Sequence, residues 1–187
     1  NPKPEKIPMA ATSKSSSKSS AKSASKRCTR RTGRRDPLAI SLLKKDHREV
    51  EGWFDEYEQL DDEGEKLELF NRIALALKVH TRIEEEIFYP ETRADVEEDL
   101  LDEAYVEHDG AKKLIAEIEA MTPDAPLYDA KVKVLGEYIK HHVKEEEQAG
   151  GMFAQAKRGD EDLDAMGERL KARKEELMAE LGGPRAH

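Results

Sequence analysis

The chain has 187 residues, of which 39% are charged, 37% hydrophobic and 5% aromatic. Glu, Lys, Leu and Ala are abundant and Gly and Pro are few, which favours an all-α fold over a β-sheet. No run approaches the roughly 18 uninterrupted apolar residues of a membrane span, so we expect no membrane partner. A single cysteine, Cys28, fits a reducing compartment, and the expected location is cytoplasmic.

Residues 1–35 differ in composition from the rest of the chain. They hold 11 Lys or Arg and one acidic residue, whereas the remainder holds 21 basic and 40 acidic residues. This Ser/Lys/Arg-rich segment has too few apolar side chains to offset the entropy of ordering, so we expect a disordered basic tail. The tail either only solubilises the protein or binds nucleic acid non-specifically through its charge. Its Ser- and Arg-rich, acid-poor composition also resembles an organelle transit peptide.

Four amphipathic segments follow the tail, each with apolar residues at steps of three and four. Asp36 predicts the cap of the first helix, with Pro37 at its first helical position. Pro90 is expected to end the second helix. The pattern predicts helices over about 37–60, 65–89, 97–121 and 127–148.

Helices of about 20 residues with short polar connections pack as antiparallel neighbours. We therefore predict an up-down four-helix bundle over residues 36–157. Gly150 and Gly151 should break or loosen the end of its fourth helix. A C-terminal region, 158–187, should contain a shorter fifth helix over about 161–181 that packs outside the bundle.

Each of the four apolar stripes contains one histidine, and two of these histidines are followed by a glutamate four residues later. The six residues are His47, His80, Glu84, His108, His142 and Glu146. A spacing of four places imidazole and carboxylate on one helix face, so the six side chains point at a common axis. On the fourth helix the apolar stripe selects His142, whereas His141 lies on a wetter face.

Uncompensated burial of these groups would cost several kcal/mol for each charge, and metal cations remove that cost. Six ligands are too many for one tetrahedral zinc ion and suit two metals bridged by carboxylates. Mixed imidazole and carboxylate ligation favours iron or manganese over calcium or magnesium. The alternative is a metal-free bundle with satisfied core histidines. The Glu-x-x-His motif of ferritin-like proteins and the H-E-x-x-H motif of metalloproteases are both absent.

The order H…H-x-x-x-E…H…H-x-x-x-E, with the flanking text HTRIEEEIFYP and YIKHHVKEEE, resembles the hemerythrin family and specifically its HHE cation-binding domains. The resemblance covers about residues 37–157. It implies a four-helix bundle with two non-haem irons, manganese being the alternative metal, that meet dioxygen, nitric oxide or peroxide. By matching positions, the ligands would be the six residues above. Glu84 and Glu146 would bridge the irons, and each histidine would be terminal on one of them.

One position departs from the oxygen-carrying members of that family. They have a further histidine four residues after the histidine of the third helix, where this chain has Lys112. Water or another side chain, such as Tyr105, would then have to complete the coordination of one iron.

Three functions stay open at this point. The first is a di-iron protein that binds or reduces a small molecule in oxygen or nitric oxide handling, sensing or stress defence, with turnover undecided. The second is an iron store or sensor whose metal controls folding and partner contacts. The third is a bundle scaffold whose basic tail binds nucleic acid.

Overall fold

The structure, a computed structural model, describes residues 35–183. The tail expected over residues 1–35 therefore lies outside the described residues, apart from Arg35. Within 35–183 the chain forms helices and no strand, which confirms the all-α class. None of the helices in this range is both long and apolar enough to cross a bilayer.

Four long helices form the bundle, and shorter helical pieces close one of its ends. In chain order the elements are α1 (Leu38–Tyr57), α2 (Glu63–Ile83), a π-helical segment (Glu84–Phe88), α3 (Tyr89–Thr92), α4 (Glu98–Glu119), α5 (Tyr128–Glu147), α6 (Met152–Ala156) and α7 (Leu163–Leu181). Contacts join α1 to α2, α2 to α4, α4 to α5 and α5 to α1. The four long helices therefore surround a common axis, as the spacing of apolar residues predicts.

The start of α1 corrects the prediction of an Asp36 cap. The helix begins at Leu38 with Pro37 in the cap position, and no side-chain cap hydrogen bond forms there. The Asp36 carboxylate instead pairs with lysines of α1 and of the chain beyond α6. The Leu38 N–H donates to the Asp164 carboxylate of α7 at 2.7 Å. A distant helix thus satisfies an orphan amide that a local cap was expected to satisfy.

Pro90 does not end the second helix, contrary to the prediction. The winding widens after Ile83 into the π-helical segment, and α3 carries the helical path through Pro90 to Thr92. In a regular α-helix the proline ring clashes with the carbonyl four residues earlier. Here the preceding turn is already wider, and the Tyr89 N–H bonds to the Glu84 carbonyl five residues earlier. The widened turn therefore accommodates a proline that regular winding would reject.

The fifth long helix, α7, packs outside the bundle against α1 and α2, as predicted, but it is nearly as long as they are. It has 19 residues against 20 in α1. Leu163, Met166, Leu170 and Leu177 are buried, while Leu181 is 38% exposed. A Cβ at Gly167 would lie 2.6 Å from the Ala39 amide nitrogen, so glycine permits this close approach.

The break predicted after the fourth helix is present. α5 ends at Glu147, and Gly150 follows with φ of +87°, in the left-handed region that favours glycine. A side chain at Gly151 would collide with the Glu145 carbonyl. The short helix α6 then packs against α5, with Met152, Phe153 and Ala156 buried.

Buried apolar side chains form two separate clusters. The α7-side cluster includes Leu43, Ile83, Phe88, Leu101, Phe153 and Leu170. The far cluster includes Val50, Phe70, Leu77, Ile115, Leu135 and Ile139. Along α1, His47 falls between Leu43 of one cluster and Val50 of the other. The core is thus interrupted by a polar layer, and this layer contains the histidines that the sequence singled out.

Candidate metal centre

The four long helices bring the four stripe histidines together as two pairs. The Nε2 atoms of His47 and His80 lie 3.0 Å apart, and those of His108 and His142 lie 3.2 Å apart. Each of the four residues is at most 5% exposed. Their inward Nε2 atoms can donate lone pairs to metal ions, and each pair of histidines could coordinate one cation.

Glu84 and Glu146 lie between the two pairs. The Glu84 Oε2 atom is 3.2 Å from His80 Nε2 and 3.4 Å from His108 Nε2. The Glu146 Oε2 atom is 3.4 Å from His47 Nε2, and its Oε1 atom is 3.8 Å from His142 Nε2. Each carboxylate therefore reaches one histidine of each pair. All six residues singled out by the sequence thus meet in one buried cluster.

The outward Nδ1 atom of each histidine faces a carboxylate from a neighbouring helix. The distances are 2.7 Å for His47 to Glu147, 3.6 Å for His80 to Asp46, 2.9 Å for His108 to Glu85 and 2.8 Å for His142 to Glu107. The three shorter contacts are hydrogen bonds that fix the ring and its tautomer, leaving the Nε2 lone pair directed inward. His80 Nδ1 and Asp46 Oδ2 face each other without a hydrogen bond. The contacts join α1 to α5, α5 to α4, α4 to the π-helical segment that continues α2, and α2 to α1. They therefore form a closed ring around the bundle.

Sequence reasoning missed all four outer carboxylates. Each stands one residue before or after one of the six predicted ligands, in the dipeptides Asp46-His47, Glu84-Glu85, Glu107-His108 and Glu146-Glu147. The carboxylate contacts the histidine of a different helix, not its neighbour in sequence. An acidic residue beside each ligand was the available signal, and it was hidden among 41 Asp and Glu residues.

Burial and neighbouring charges shift the pKa values of the buried histidines in opposite directions. Burial lowers the pKa of His47 to about 4. Burial also opposes a charge on His80, but the carboxylates of Glu84 and Asp46 outweigh it and raise the His80 pKa to about 10. Without a cation, the polar layer must therefore hold protons at selected nitrogens to balance its carboxylates.

The two inner carboxylates are unequal as well. Burial opposes ionisation of both, yet contacts with His80 and His108 hold the pKa of Glu84 well below its usual range. Burial and the charge of Glu84 raise the pKa of Glu146. Glu84 Oε1 and Glu146 Oε2 are buried with no hydrogen-bond partner. Such orphaned oxygens cost about 1–3 kcal/mol each, which a cation would relieve, so the donor set fits a metal.

Tyr89 lies in the same buried layer and was not predicted. Its hydroxyl oxygen is 3.1 Å from Glu146 Oε1, 3.2 Å from His108 Nε2 and 3.5 Å from Glu84 Oε2. Burial and the nearby glutamates raise its pKa well above the ordinary value, so the hydroxyl stays protonated and donates to Glu146. Tyr105, suggested from sequence as a further ligand, instead packs its ring against that of Tyr89.

Lys112 does not direct its charge to the two histidine pairs. Its Nζ atom lies 2.6 and 2.7 Å from the two carboxylate oxygens of Glu85, on the outer side of His108. The position that holds a histidine in oxygen carriers is therefore used here to fix the carboxylate behind a proposed ligand. Tyr89 supplies an additional oxygen atom at that end of the centre, 3.2 Å from His108 Nε2.

A small cavity adjoins all four histidines. Its apolar wall is formed by Val50, Leu77, Ile139 and Val143. Asp46, Thr81 and the four histidines form the rest of its lining, and its volume of about 20 Å³ is room for one small molecule. The cavity thus provides space beside the four histidines for one water or diatomic molecule.

The prediction that His142 lies on the buried face of α5 and its neighbour His141 on a wetter face is confirmed. The His142 side chain is 5% exposed, whereas that of His141 is 59% exposed. His141 contacts Glu107 and Glu145 at the surface.

The fold and the buried donor set are those of a metal-binding four-helix bundle. Residues 38–154 match the profile of the hemerythrin HHE cation binding domain. The chain belongs to this family of cation-binding domains.

Two comparisons extend this assignment. The chain is 30% identical over 152 residues to a protein named DNA nickase from Nostoc sp. strain PCC 7120, covering 80% of this chain and 43% of that protein. The chain therefore spans less than half the length of that relative. A crystal structure of a hemerythrin HHE cation binding domain-containing protein from Mycobacterium kansasii aligns with a TM-score of 0.64 at 22% identity, covering 76% of this chain and 88% of that one. This likeness supports the fold.

Proposed function

We propose that the chain holds two non-haem iron ions on His47, His80, Glu84, His108, His142 and Glu146 and uses them to bind dioxygen, nitric oxide or peroxide. The observation that carries this proposal is the pairing of four inward Nε2 atoms across two shared carboxylates. One imidazole pair for each ion and two carboxylates between the ions make a donor set for two cations. Imidazole with carboxylate suits iron, with manganese as the alternative.

When bound, a pair of ferrous ions would supply electrons to a small oxidant at neighbouring positions. The residues around the ions would orient the ligands and leave space for such a molecule. The outer carboxylates keep the histidine Nε2 atoms directed inward. Val50, Leu77, Ile139 and Val143 form the apolar side of the adjoining cavity, where a small uncharged molecule could lie. Tyr89 places a hydroxyl proton beside Glu146, where it stabilises that carboxylate.

Metal analysis tests the first half of this proposal. After anaerobic reconstitution with Fe²⁺, we expect about two irons per chain and, on oxidation, the visible absorption bands of ferric iron. One tightly held zinc, or no retained iron, would contradict the proposal. Removal of the metal should also lower the free energy of unfolding, because the buried carboxylates would lose their counter-charges.

Mixing the reduced protein with dioxygen tests the second half. Because Lys112 pairs with Glu85 in place of a further imidazole ligand, the site should protect its reduced state poorly. We expect the visible spectrum to turn ferric within seconds to minutes. An oxygen adduct that persists for hours and is reversed under vacuum would instead identify a carrier. A spectrum that responds to neither dioxygen, nitric oxide nor peroxide would favour the iron store or sensor.

A second proposed function is sequence-independent binding of DNA by residues 1–35. It is supported by their 11 basic residues and by the relative that is named DNA nickase. The remainder of the chain is strongly acidic and would repel phosphates. Binding should fall steeply with salt and disappear when residues 1–35 are deleted, while the iron content stays unchanged. Binding retained by residues 36–187 alone would contradict this assignment.

A further inference from the structure

A second group of metal-ligating side chains lies at the surface between α4 and α5. It consists of Glu107, His141 and Glu145, whose ligand atoms all lie within 4.8 Å of one another. His141 Nε2 is 3.2 Å from Glu145 Oε1 and 3.5 Å from Glu107 Oε1. None of these three residues belongs to the six proposed iron ligands. We call this group the surface triad.

The surface triad has the composition of a weak and accessible cation site. One imidazole and two carboxylates are ligands for a divalent transition metal, and three protein ligands leave coordination positions for water. His141 is 59% exposed, whereas Glu107 is 11% exposed and Glu145 26%. A hydrated cation can therefore reach the imidazole directly from solution.

Glu107 connects the surface triad to the buried centre. Its Oε1 atom faces His141, while its Oε2 atom lies 2.8 Å from the Nδ1 atom of the buried His142. Glu107 and Glu145 also line a narrow cavity together with His142 and Glu146. At the inner end lies Glu146, whose Oε1 atom is 3.8 Å from His142 Nε2 and whose Oε2 atom is buried with no hydrogen-bond partner. Carboxylate oxygens thus lead from the exposed imidazole to an unpartnered acceptor in the core.

The outer approach to the surface triad is negatively charged. A surface groove that includes His141 and Glu107 is also lined by Asp99, Asp102, Glu103 and Glu137. A cleft lined by one sign of charge raises the local concentration and the association rate of ions of opposite sign.

We propose that the surface triad is a transient uptake site, which captures a divalent cation from solution and passes it along Glu107 and Glu145 to the buried centre. The destination of the cation rests on the proposed function, whereas capture at the surface does not. The proposal assigns His141 and Glu145 a role in the rate of loading and none in the final metal content.

The test compares the rate of loading with its end point. Metal-free full-length protein is mixed anaerobically with Fe²⁺ alone, and samples are quenched with a ferrous chelator at increasing times. The double variant His141→Ala/Glu145→Gln should load about tenfold more slowly and reach the iron content of the unchanged protein. Glu137→Gln is the matched control, because it removes one negative charge from the same helix and groove but no ligand of the surface triad. It should slow loading far less than the double variant does.

A second measurement detects the surface site directly. Mn²⁺ is added to the iron-loaded protein, and the electron paramagnetic resonance signal of free Mn²⁺ is followed. The unchanged protein and Glu137→Gln should bind a further Mn²⁺ ion weakly, and the double variant should lack that ion.

Equal loading rates in the double variant and the unchanged protein would overturn the uptake role, and so would an equal slowing by Glu137→Gln. A lowered final iron content in the double variant would place these residues in the buried centre instead. Failure of the unchanged protein to retain iron would overturn the proposed function and the uptake role together. The Mn²⁺ experiment, repeated without iron, would still decide whether the triad captures a cation.

Discussion

The two histidine pairs of the candidate centre have similar donors but different surroundings. Behind His47 and His80, the Asp46 carboxylate is held by Lys174 of α7 at 2.5 Å, and that helix is packed tightly on the bundle. Behind His108 and His142 lie the surface triad and the pair of Glu85 with Lys112. Tyr89 adds its hydroxyl on that side.

This difference predicts that the two halves differ in how firmly they hold a cation and in how readily they exchange it. The His47/His80 half is braced by an additional helix and should hold its cation more firmly. The His108/His142 half is nearer to an open groove and contains an additional oxygen donor, so exchange and small-molecule chemistry should concentrate there. Four substitutions test this difference between the two halves.

The largest effect is expected for Glu84, because its carboxylate contacts both halves. Glu84→Gln should lower the iron content from about two per chain to nearly none, since a neutral amide is a poor bridging ligand. Glu86→Gln is the control, because Glu86 pairs with Arg173 at the surface and should not affect the metal. Metal analysis after reconstitution checks both variants. Retention of one firmly bound iron in Glu84→Gln would show that this carboxylate serves a single half.

A substitution within one half should have a smaller effect. His142→Ala should lower the iron content to at most about one per chain, because it removes one Nε2 donor from the His108/His142 half. His141→Ala changes the adjacent residue and should keep the full content at the end of loading. The same metal analysis applies, and equal losses in the two variants would contradict their separate roles.

The ion pair between Lys174 of α7 and Asp46 supports the His47/His80 half, and a substitution on α7 can remove it. Lys174→Ala would leave the Asp46 carboxylate, which is only 6% exposed, without its ammonium partner. We expect the free energy of unfolding to fall by about 1–3 kcal/mol. Lys171→Ala is the matched control on an exposed position of the same helix. Urea unfolding of the iron-loaded proteins measures the difference, and an unchanged Lys174→Ala variant would show that α7 does not brace the centre.

The smallest effect is expected at the hydroxyl group of Tyr89. Tyr89→Phe should leave the iron content unchanged but alter the azide affinity of the ferric protein by about tenfold, because one polar contact to Glu146 is lost. Tyr105→Phe should leave azide binding unchanged, since Tyr105 contacts the ring of Tyr89. Titration followed by visible absorption measures both affinities. A change of azide affinity in Tyr105→Phe and none in Tyr89→Phe would show that Tyr105, and not Tyr89, contributes the hydroxyl group at the site.

The polar layer could be predicted from sequence because burial repeats with the helical period. Steps of three and four residues placed one histidine of each stripe, and the glutamate four residues after two of them, on the inner faces. The same phase argument separated His142 from His141, and the structure confirms their burial and exposure. That the six residues are metal ligands stays a prediction.

The elements that were missed depend on contacts between distant parts of the chain. Asp36 has the local character of a cap, but Asp164 of α7 supplies that hydrogen bond. The outer carboxylates lie one position beside each stripe, where acidic residues are ordinary surface residues. Only the packing of neighbouring helices decides that Glu107 or Glu147 turns toward a histidine.

The π-helical segment Glu84–Phe88 has a consequence for where the residues after it lie around the helix axis. In uninterrupted α-helical winding, a residue five positions after Glu84 would lie about 140° around the axis from it. The wider turn takes more residues for each revolution and brings Tyr89 back toward the face of Glu84. A single inserted residue is enough to create such a turn in an existing helix. Deleting one residue of the segment would place the tyrosine four positions after Glu84, about 40° around a regular α-helix. The deletion should therefore restore α-helical winding while keeping the tyrosine close to the face of Glu84.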